Sequence, residues 1–383
     1  MTSRPEAIGG VTGSASLPEA AVWRSRGKHA PDGGAYRKNG LLAHLRRAGR
    51  GELSVWSGPD GASLSSPARF RAGVASLLDF LATVRARKVL FFYPDFPFLL
   101  PASLGKLPAL GWLVWRVRRL LETRGLEAVV DVEDLPGPQL REFTGQRHPG
   151  SDLALATFER WLDRFANELW VPTASMAGHW ARRTGRAHPR VRLVPTCSLQ
   201  HAPAVPDRCD GAPRFFYAGE LDPLADRGVS EMIRAFRKSV PGQMRLVLAG
   251  PGGGWVRELG HPSVEVLGAL EEESCRARAR ECHWGLVPYP ERGYFHEVFP
   301  AKLSFYTSCG LPVVTTEVSE AARAVRDAGV GSVVPMDGWR EFFVRCREGS
   351  EAPPRVECPW LWERVLPSTS GPAGEFAGRR EGR

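Results

Sequence analysis

The feature that most limits what this chain can become is an alternation. Short β-branched or aromatic runs are followed, again and again from residue 52 to residue 316, by segments with apolar residues three and four apart. That alternation of strand and helix periods implies parallel sheets with crossover helices. In the first half the pattern predicts strands at 52–57, 88–94, 127–133, 168–172 and 190–195, with helices at 38–48, 68–84, 108–123, 152–166 and 174–184. A Pro-rich polar stretch at 201–213 has the composition of a domain junction. Beyond it the pattern predicts strands at 214–220, 244–250, 264–268, 284–290 and 312–316, and helices at 229–239, 271–283 and 300–308. Residues 338–347 and 359–365 also read as helical and are expected to pack back across the first domain. The expected organisation is α/β, with one domain at 21–205, a second at 206–345 and a helical return segment at 346–366. The small, polar or charged ends, 1–20 and 367–383, are expected to be disordered.

Length agrees with two domains, because 383 residues exceed what one core usually organises. Apolar residues make up 43% and charged residues 24%, which argues against global disorder. The formal charge of +9 should attract phosphorylated ligands, nucleic acid or an anionic membrane, although biased codon usage also enriches arginine. The aromatics are not interleaved with a basic strand face, so nucleic acid is not expected as a partner. Cys197, Cys209, Cys275, Cys282, Cys309, Cys346 and Cys358 form no C-x-x-C pair, so neither zinc nor a disulfide framework is expected. No run reaches the ~20 apolar residues of a membrane span and the N-terminus has no continuous apolar signal region. A cytoplasmic protein, at most resting on the inner face of the membrane, is expected.

The strongest local signal is HEVFPAKLSFYTSCGLPVVTTE at 296–317, where a loop holding Glu297 runs into a helix that stops at Gly310 and feeds a buried strand. A helix N-terminus offers N–H groups and partial positive charge, Pro300 suits the first turn, and Lys302 adds a cation; together these suit a diphosphate. The segment resembles the donor-site signature of retaining GT-B glycosyltransferases of the family-4 type, in which a Glu, seven residues and a second Glu precede Gly-x-Pro-Val-Val. Glu297 falls on the first glutamate, which the resemblance places beside the donor sugar. The second, a ribose ligand in such enzymes, is Phe305 here. The string Pro300, Lys302, Ser304, Tyr306 is similar to the P-x-K-x-S-x-Y of the subgroup with galactofuranosyltransferases and related bacterial glycan enzymes, which adds these four residues to the expected donor site. An ordinary α/β loop and helix is the alternative.

The resemblance implies two Rossmann-like domains facing a cleft, and it extends to other segments. Residues 215–236 are similar to the opening strand and loop of the donor domain, with Gly219 at the turn, Glu220 where an Arg is expected, and Arg227 as the second phosphate cation, displaced by a longer loop; a solvated loop arginine is the alternative. Gly250, in VLAGPGGGW, would border the base or ribose or belong to a plain turn. This glycine run lacks the G-x-G-x-x-G order of a dinucleotide fingerprint, which disfavours an oxidoreductase. In the first domain, Gly33 and Gly34 resemble a Gly-Gly turn facing the donor, with Arg37 and Lys38 following toward the acceptor or membrane face; a plain turn and N-cap is the alternative. Glu133 and Asp134 end a buried strand, where open α/β sheets place ligands, and either could orient an acceptor hydroxyl or take its proton; a cap or an ion pair is the alternative. Trp112 and Trp115, among Arg116, Arg118 and Arg119, could rest on an anionic membrane, or belong to a core helix with a basic edge.

The resemblance therefore implies a metal-independent glycosyltransferase with no permanent cofactor. It would use a nucleotide diphosphate sugar, UDP-linked, as co-substrate, and a glycan, lipid-linked or small-molecule acceptor. A non-catalytic paralogue partnering an active transferase, or a nucleotide-sugar isomerase, are the alternatives.

Overall fold

The computed structural model describes residues 16–24, 33–48, 52–58, 67–96, 104–144, 149–200, 212–222, 227–239 and 244–367. The first domain runs β1 (Ala20–Arg24), α1 (Gly33–Ala48), β2 (Ser54–Gly58), α2 (Pro67–Thr83), β3 (Lys88–Tyr93), α3 (Leu107–Arg124) and β4 (Glu127–Val132). It continues through α4 (Pro136–Thr144), α5 (Pro149–Phe165), β5 (Glu168–Val171), α6 (Ala174–Thr184) and β6 (Val191–Leu193). Its six strands pair in the order β2-β1-β3-β4-β5-β6, all parallel. Every residue of β3 is buried, as expected of a strand covered by helices on both faces.

The second domain runs β7 (Arg214–Ala218), α7 (Val229–Ser239), β8 (Arg245–Ala249), α8 (Gly254–Glu258), β9 (Val264–Gly268), α9 (Glu272–Arg280) and β10 (Trp284–Val287). It ends with α10 (Ala301–Ser308), β11 (Val313–Thr316), α11 (Ser319–Ala328), β12 (Gly331–Val334) and α12 (Trp339–Arg347). The second sheet is also six-stranded and parallel, in the order β12-β11-β10-β7-β8-β9. The strand order reverses between β7 and β10, and such a switch point opens a crevice at the carboxyl ends of the strands.

Several elements differ from the sequence expectation. Ala20 opens β1, a strand inside the sheet, with Leu17 already buried, so disorder does not extend to residue 20. Residues 1–15 and 368–383 lie outside the described residues. Helix α4 begins at Pro136, since a first helical turn tolerates proline. Helix α12 packs in the second domain, where Phe342 and Phe343 pack around Phe215, and not across the first.

The chain after α12 does return to the first domain. Ser198 N–H donates to the Trp360 carbonyl (2.9 Å), Trp362 N–H donates to the Ser198 carbonyl (3.1 Å), and His44 Nε2 lies 2.7 Å from the Leu366 carbonyl. The short helix α13 (Trp362–Val365) sits against α1. Apolar contact is continuous between the domains, one cluster holding Leu41 and Leu90 of the first with Leu303 and Val313 of the second. Among the described residues no helix is long and apolar enough to cross a membrane.

Candidate functional site

At the switch point of the second sheet the backbone is crowded by design. Gly219 (φ 149°) follows β7 and Gly250 (φ 151°) follows β8, both in backbone regions that favour glycine. A Cβ on Gly250 would stand 1.8 Å from the Gly219 carbonyl oxygen, and one on Gly219 would stand 3.0 Å from Lys302 Nζ. The missing side chain of Gly219 thus makes room for the Lys302 amine, carried by the second residue of α10. That amine lies 5.4 Å from the centroids of both the Tyr217 and Tyr289 rings.

Arg227 reaches the same place because Gly228 (φ 72°) lies against the loop after β10, where a Cβ would stand 1.8 Å from the Pro288 carbonyl oxygen. Burial lowers the Lys302 pKa, the Tyr289 phenol opposes that, and the neighbouring Arg227 lowers it further. Burial would raise Tyr289, but the Lys302 and Arg227 cations outweigh it and leave that phenol below its ordinary value. Two cations and two phenols therefore converge on the carboxyl ends of β7 and β10 and the N-terminus of α10, whose first N–H groups have no partner within the helix.

Not every residue of the Pro300–Tyr306 string faces this pocket. Pro300 sits at the N-cap of α10. Ser304 is buried and donates to the Ala301 carbonyl (3.0 Å), two residues and about 200° around the helix from Lys302. Tyr306 is also buried: its hydroxyl accepts from Ala218 N–H (2.8 Å) and donates to the Leu286 carbonyl (3.3 Å), bridging β7 and β10 a full turn deeper than Lys302. The expectation that Ser304 and Tyr306 contact the donor is corrected: both support the frame.

Phe305, where the resemblance expects a carboxylate, packs edge-on to Tyr36 with the Arg276 guanidinium 5.0 Å above its ring. Arg276 donates to Ser308 Oγ (2.9 Å), the Tyr36 hydroxyl (3.1 Å), Ser198 Oγ (3.3 Å) and Glu272 Oε1 (2.8 Å). This position is a closed contact between the domains.

Across the cleft, Glu133 and Asp134 follow β4. Asp134 Oδ1 accepts from the hydroxyl of Tyr294 of the second domain (2.5 Å), and that hydroxyl accepts from Leu135 N–H (3.2 Å). Glu133 Oε1 lies 3.0 Å from Lys38 Nζ, which also donates to Asp95 Oδ2 (2.5 Å). Burial pushes the Glu133 carboxyl up to about 8; Lys38 opposes this, and Asp134 and Asp95 add to it. Asp134 in turn raises the Tyr289 phenol, so the acidic turn of one domain and the cationic pocket of the other share one cleft.

Arg37 and Lys38 are not on an outer face, which corrects their assignment to the acceptor or membrane surface. Arg37, 1% exposed, makes a forked ion pair with Asp131 and donates to the Val194 carbonyl (2.7 Å). Removing one partner of such a buried pair costs about 3–5 kcal/mol. Lys38, 2% exposed, is spent on Asp95 and Glu133. Gly33 and Gly34 are the first two residues of α1, not a turn before it, and the loop preceding them lies outside the described residues. Trp112 and Trp115 are 50% and 54% exposed on α3, with the Arg116 guanidinium 5.9 Å from the Trp112 ring centre.

Glu297, at the end of the 3₁₀ turn Gly293–His296, points toward α6 of the first domain. Its Oε1 lies 2.7 Å from His179 Nδ1 and 3.6 Å from Arg182 Nη2, its carbonyl accepts from Thr173 Oγ1 (2.5 Å), and its buried Oε2 has no hydrogen-bond partner. A bare buried acceptor costs about 1–3 kcal/mol unless a ligand satisfies it. Beside it lies a cavity of about 430 Å³ lined in part by Arg141, Glu142, His179, Tyr294 and Glu297. Sequence reasoning missed His179, Tyr289 and Tyr294. Only Tyr289 carried a signal, its place at the carboxyl end of an expected buried strand. Among the described residues no group of three or more His, Cys, Asp or Glu could hold a metal.

Residues 212–348, which span β7 to α12, match the family model described as glycosyl transferases group 1. No curated protein sequence matches the chain. Among solved structures, sucrose-phosphate synthase from Thermosynechococcus elongatus superposes with a TM-score of 0.60 at 16% identity, covering 90% of this chain and 96% of that one. HepE of Anabaena in complex with UDP-glucose gives a TM-score of 0.55 at 13% identity, covering 86% and 90%. The lipopolysaccharide outer core galactosyltransferase WaaB gives 0.55 at 12% identity, covering 86% and 91%. The fold is the two-domain, Rossmann-like GT-B architecture.

Proposed function

We propose that this protein is a glycosyltransferase that moves a hexosyl group from a UDP-linked sugar to an acceptor hydroxyl, with retention at the anomeric carbon and without a metal ion. The observation that carries this reading is the meeting of Lys302, Arg227 and Tyr289 at Gly219 and the start of α10, at the switch point and inside the segment that matches the group 1 model. Converging cations and helix amides suit a diphosphate leaving group. The UDP in the Anabaena structure supports the choice of base.

In the proposed reaction the bond from the sugar C1 to the β-phosphate oxygen breaks and its electron pair stays on phosphate, where Lys302, Arg227 and the α10 amides stabilise it. The acceptor oxygen bonds to C1 from the same face, and its proton passes to the departing phosphate oxygen. Glu297 Oε2 accepts from a hydroxyl of the transferred sugar. Glu133 and Asp134 orient the acceptor from the first domain, and the cavity beside Tyr294 admits it. A glycan or lipid-linked acceptor agrees with the exposed Trp112 and Trp115, which we assign to contact with an anionic membrane at its inner face.

The test is release of UDP from a panel of UDP-hexoses, with and without chelator. Turnover that survives the chelator and falls at least ~100-fold in Lys302→Ala is expected. The closed contact at Phe305 favours one other reading, a partner subunit without catalysis; UDP binding with no turnover on any donor would support it.

A further inference from the structure

We infer that His179 is a positioning residue: from the first domain it fixes the Glu297 carboxylate by one oxygen and leaves the other facing the sugar site, so the site is complete only when the two domains are shut. The inference rests on the proposed sugar transfer, but the geometry that motivates it does not. Glu297 belongs to the second domain, yet its named hydrogen-bond contacts beyond its own turn come from α6 and its N-cap in the first. Thr173, the N-cap of α6, accepts from Met176 N–H (3.0 Å) and donates to the Glu297 carbonyl (2.5 Å), so one hydroxyl both starts the helix and holds the Glu297 backbone. Two turns along, His179 Nδ1 lies 2.7 Å from Glu297 Oε1. Between them, Ser175 N–H donates to Oε1 of Glu320, a buried carboxylate at the start of α11 (3.0 Å). A single helix thus grips two elements of the opposite domain.

The consequence for Glu297 is directional. A carboxylate with one oxygen bound to an imidazole N–H cannot rotate freely, and its second oxygen, buried and without a hydrogen-bond partner, is left for a donor that arrives with a ligand. Both residues line the same cavity between the domains. Arg182 is a weaker candidate for the same task, since its side chain is 69% exposed and its nitrogen lies 3.6 Å away. His179 also interacts electrostatically with Glu159 of α5, so the ring stands between acids of both domains.

The experiment compares His179→Ala, His179→Asn and Arg182→Ala for UDP release from the UDP-hexose the wild type uses, with UDP-induced thermal stabilisation as a second readout. An Asn amide N–H can occupy the place of Nδ1–H. His179→Ala should lower kcat at least ~30-fold with the UDP-induced shift and donor KM nearly unchanged, His179→Asn should recover to within about 3-fold of wild type, and Arg182→Ala should lose less than about 3-fold. Wild-type kcat in His179→Ala would overturn the inference, as would a loss that Asn fails to restore or one that Arg182→Ala matches. A wild type that neither binds UDP nor turns over any UDP-hexose would instead overturn the transferase reading, and the inference with it.

Discussion

Lys302 and Tyr289 are paired at the mouth of the second sheet, the ammonium 5.4 Å from the ring centroid and near enough that each group shifts the titration of the other. The lysine comes from the first turn of α10 and the tyrosine from the loop after β10, so two elements on one side of the switch point supply a cation and the phenol beside it. Before any ligand arrives, the phenol shares the charge of a buried amine that would otherwise be strongly disfavoured.

A diphosphate entering this pocket should take over that role, with the Tyr289 hydroxyl donating to a phosphate oxygen. Hydrogen bonds to charged groups contribute about 1.5–3 kcal/mol, so Tyr289→Phe is expected to weaken UDP binding by roughly 10- to 100-fold in a calorimetric titration at neutral pH. Unchanged affinity would place the phosphate elsewhere.

Glu133 makes stability depend on pH. Its folded carboxyl titrates near 8 against an ordinary 4.5, so the folded state holds a proton that the unfolded chain has released between those values. Stability from this group is present at low pH and is lost as pH rises from about 4.5 toward 8. The slope is at most ~1.4 kcal/mol per pH unit. Glu133→Gln removes this dependence, so urea denaturation should show the variant gaining on wild type as pH rises from 5 to 8. A pH-independent difference would contradict the assignment.

The exposed face of α3 should bind anionic lipid. Trp112 and Trp115 stand beside Arg116 and Arg119, all exposed, and each basic residue near an anionic surface is worth about 1 kcal/mol. Sedimentation with phosphatidylglycerol vesicles should recover the wild type. Trp112→Ser with Trp115→Ser should reduce binding at least ~10-fold without altering UDP affinity. Equal recovery on uncharged phosphatidylcholine would contradict the role given to the arginines.

Much of the fold was legible because strands such as β3 and β4 are nearly continuous apolar runs. β1 was not, since Ala20 and Ala21 carry little hydrophobic signal although both are fully buried. The same weakness hid α11, whose buried residues are Glu320, Ala321, Ala322 and Val325, and the four-residue β12 after it. At the site, Gly219, Arg227 and Lys302 could be read locally, because a glycine turn after a strand and a cation at a helix start are features of short segments. Ser304 and Tyr306 were misplaced because spacing along a helix does not say how deep a side chain sits beneath the sheet. His179 and Tyr294 act across the cleft from the domain opposite their partners, and no local pattern encodes that.

The central claim, a diphosphate held by Lys302, is tested most directly by the UDP-induced rise in melting temperature of the wild type and of Lys302→Ala. A ligand bound only to the folded state at 100 times its Kd stabilises by about 2.7 kcal/mol. The account predicts a rise of several degrees for the wild type and none for Lys302→Ala at the same UDP concentration. An equal rise in both proteins would contradict it.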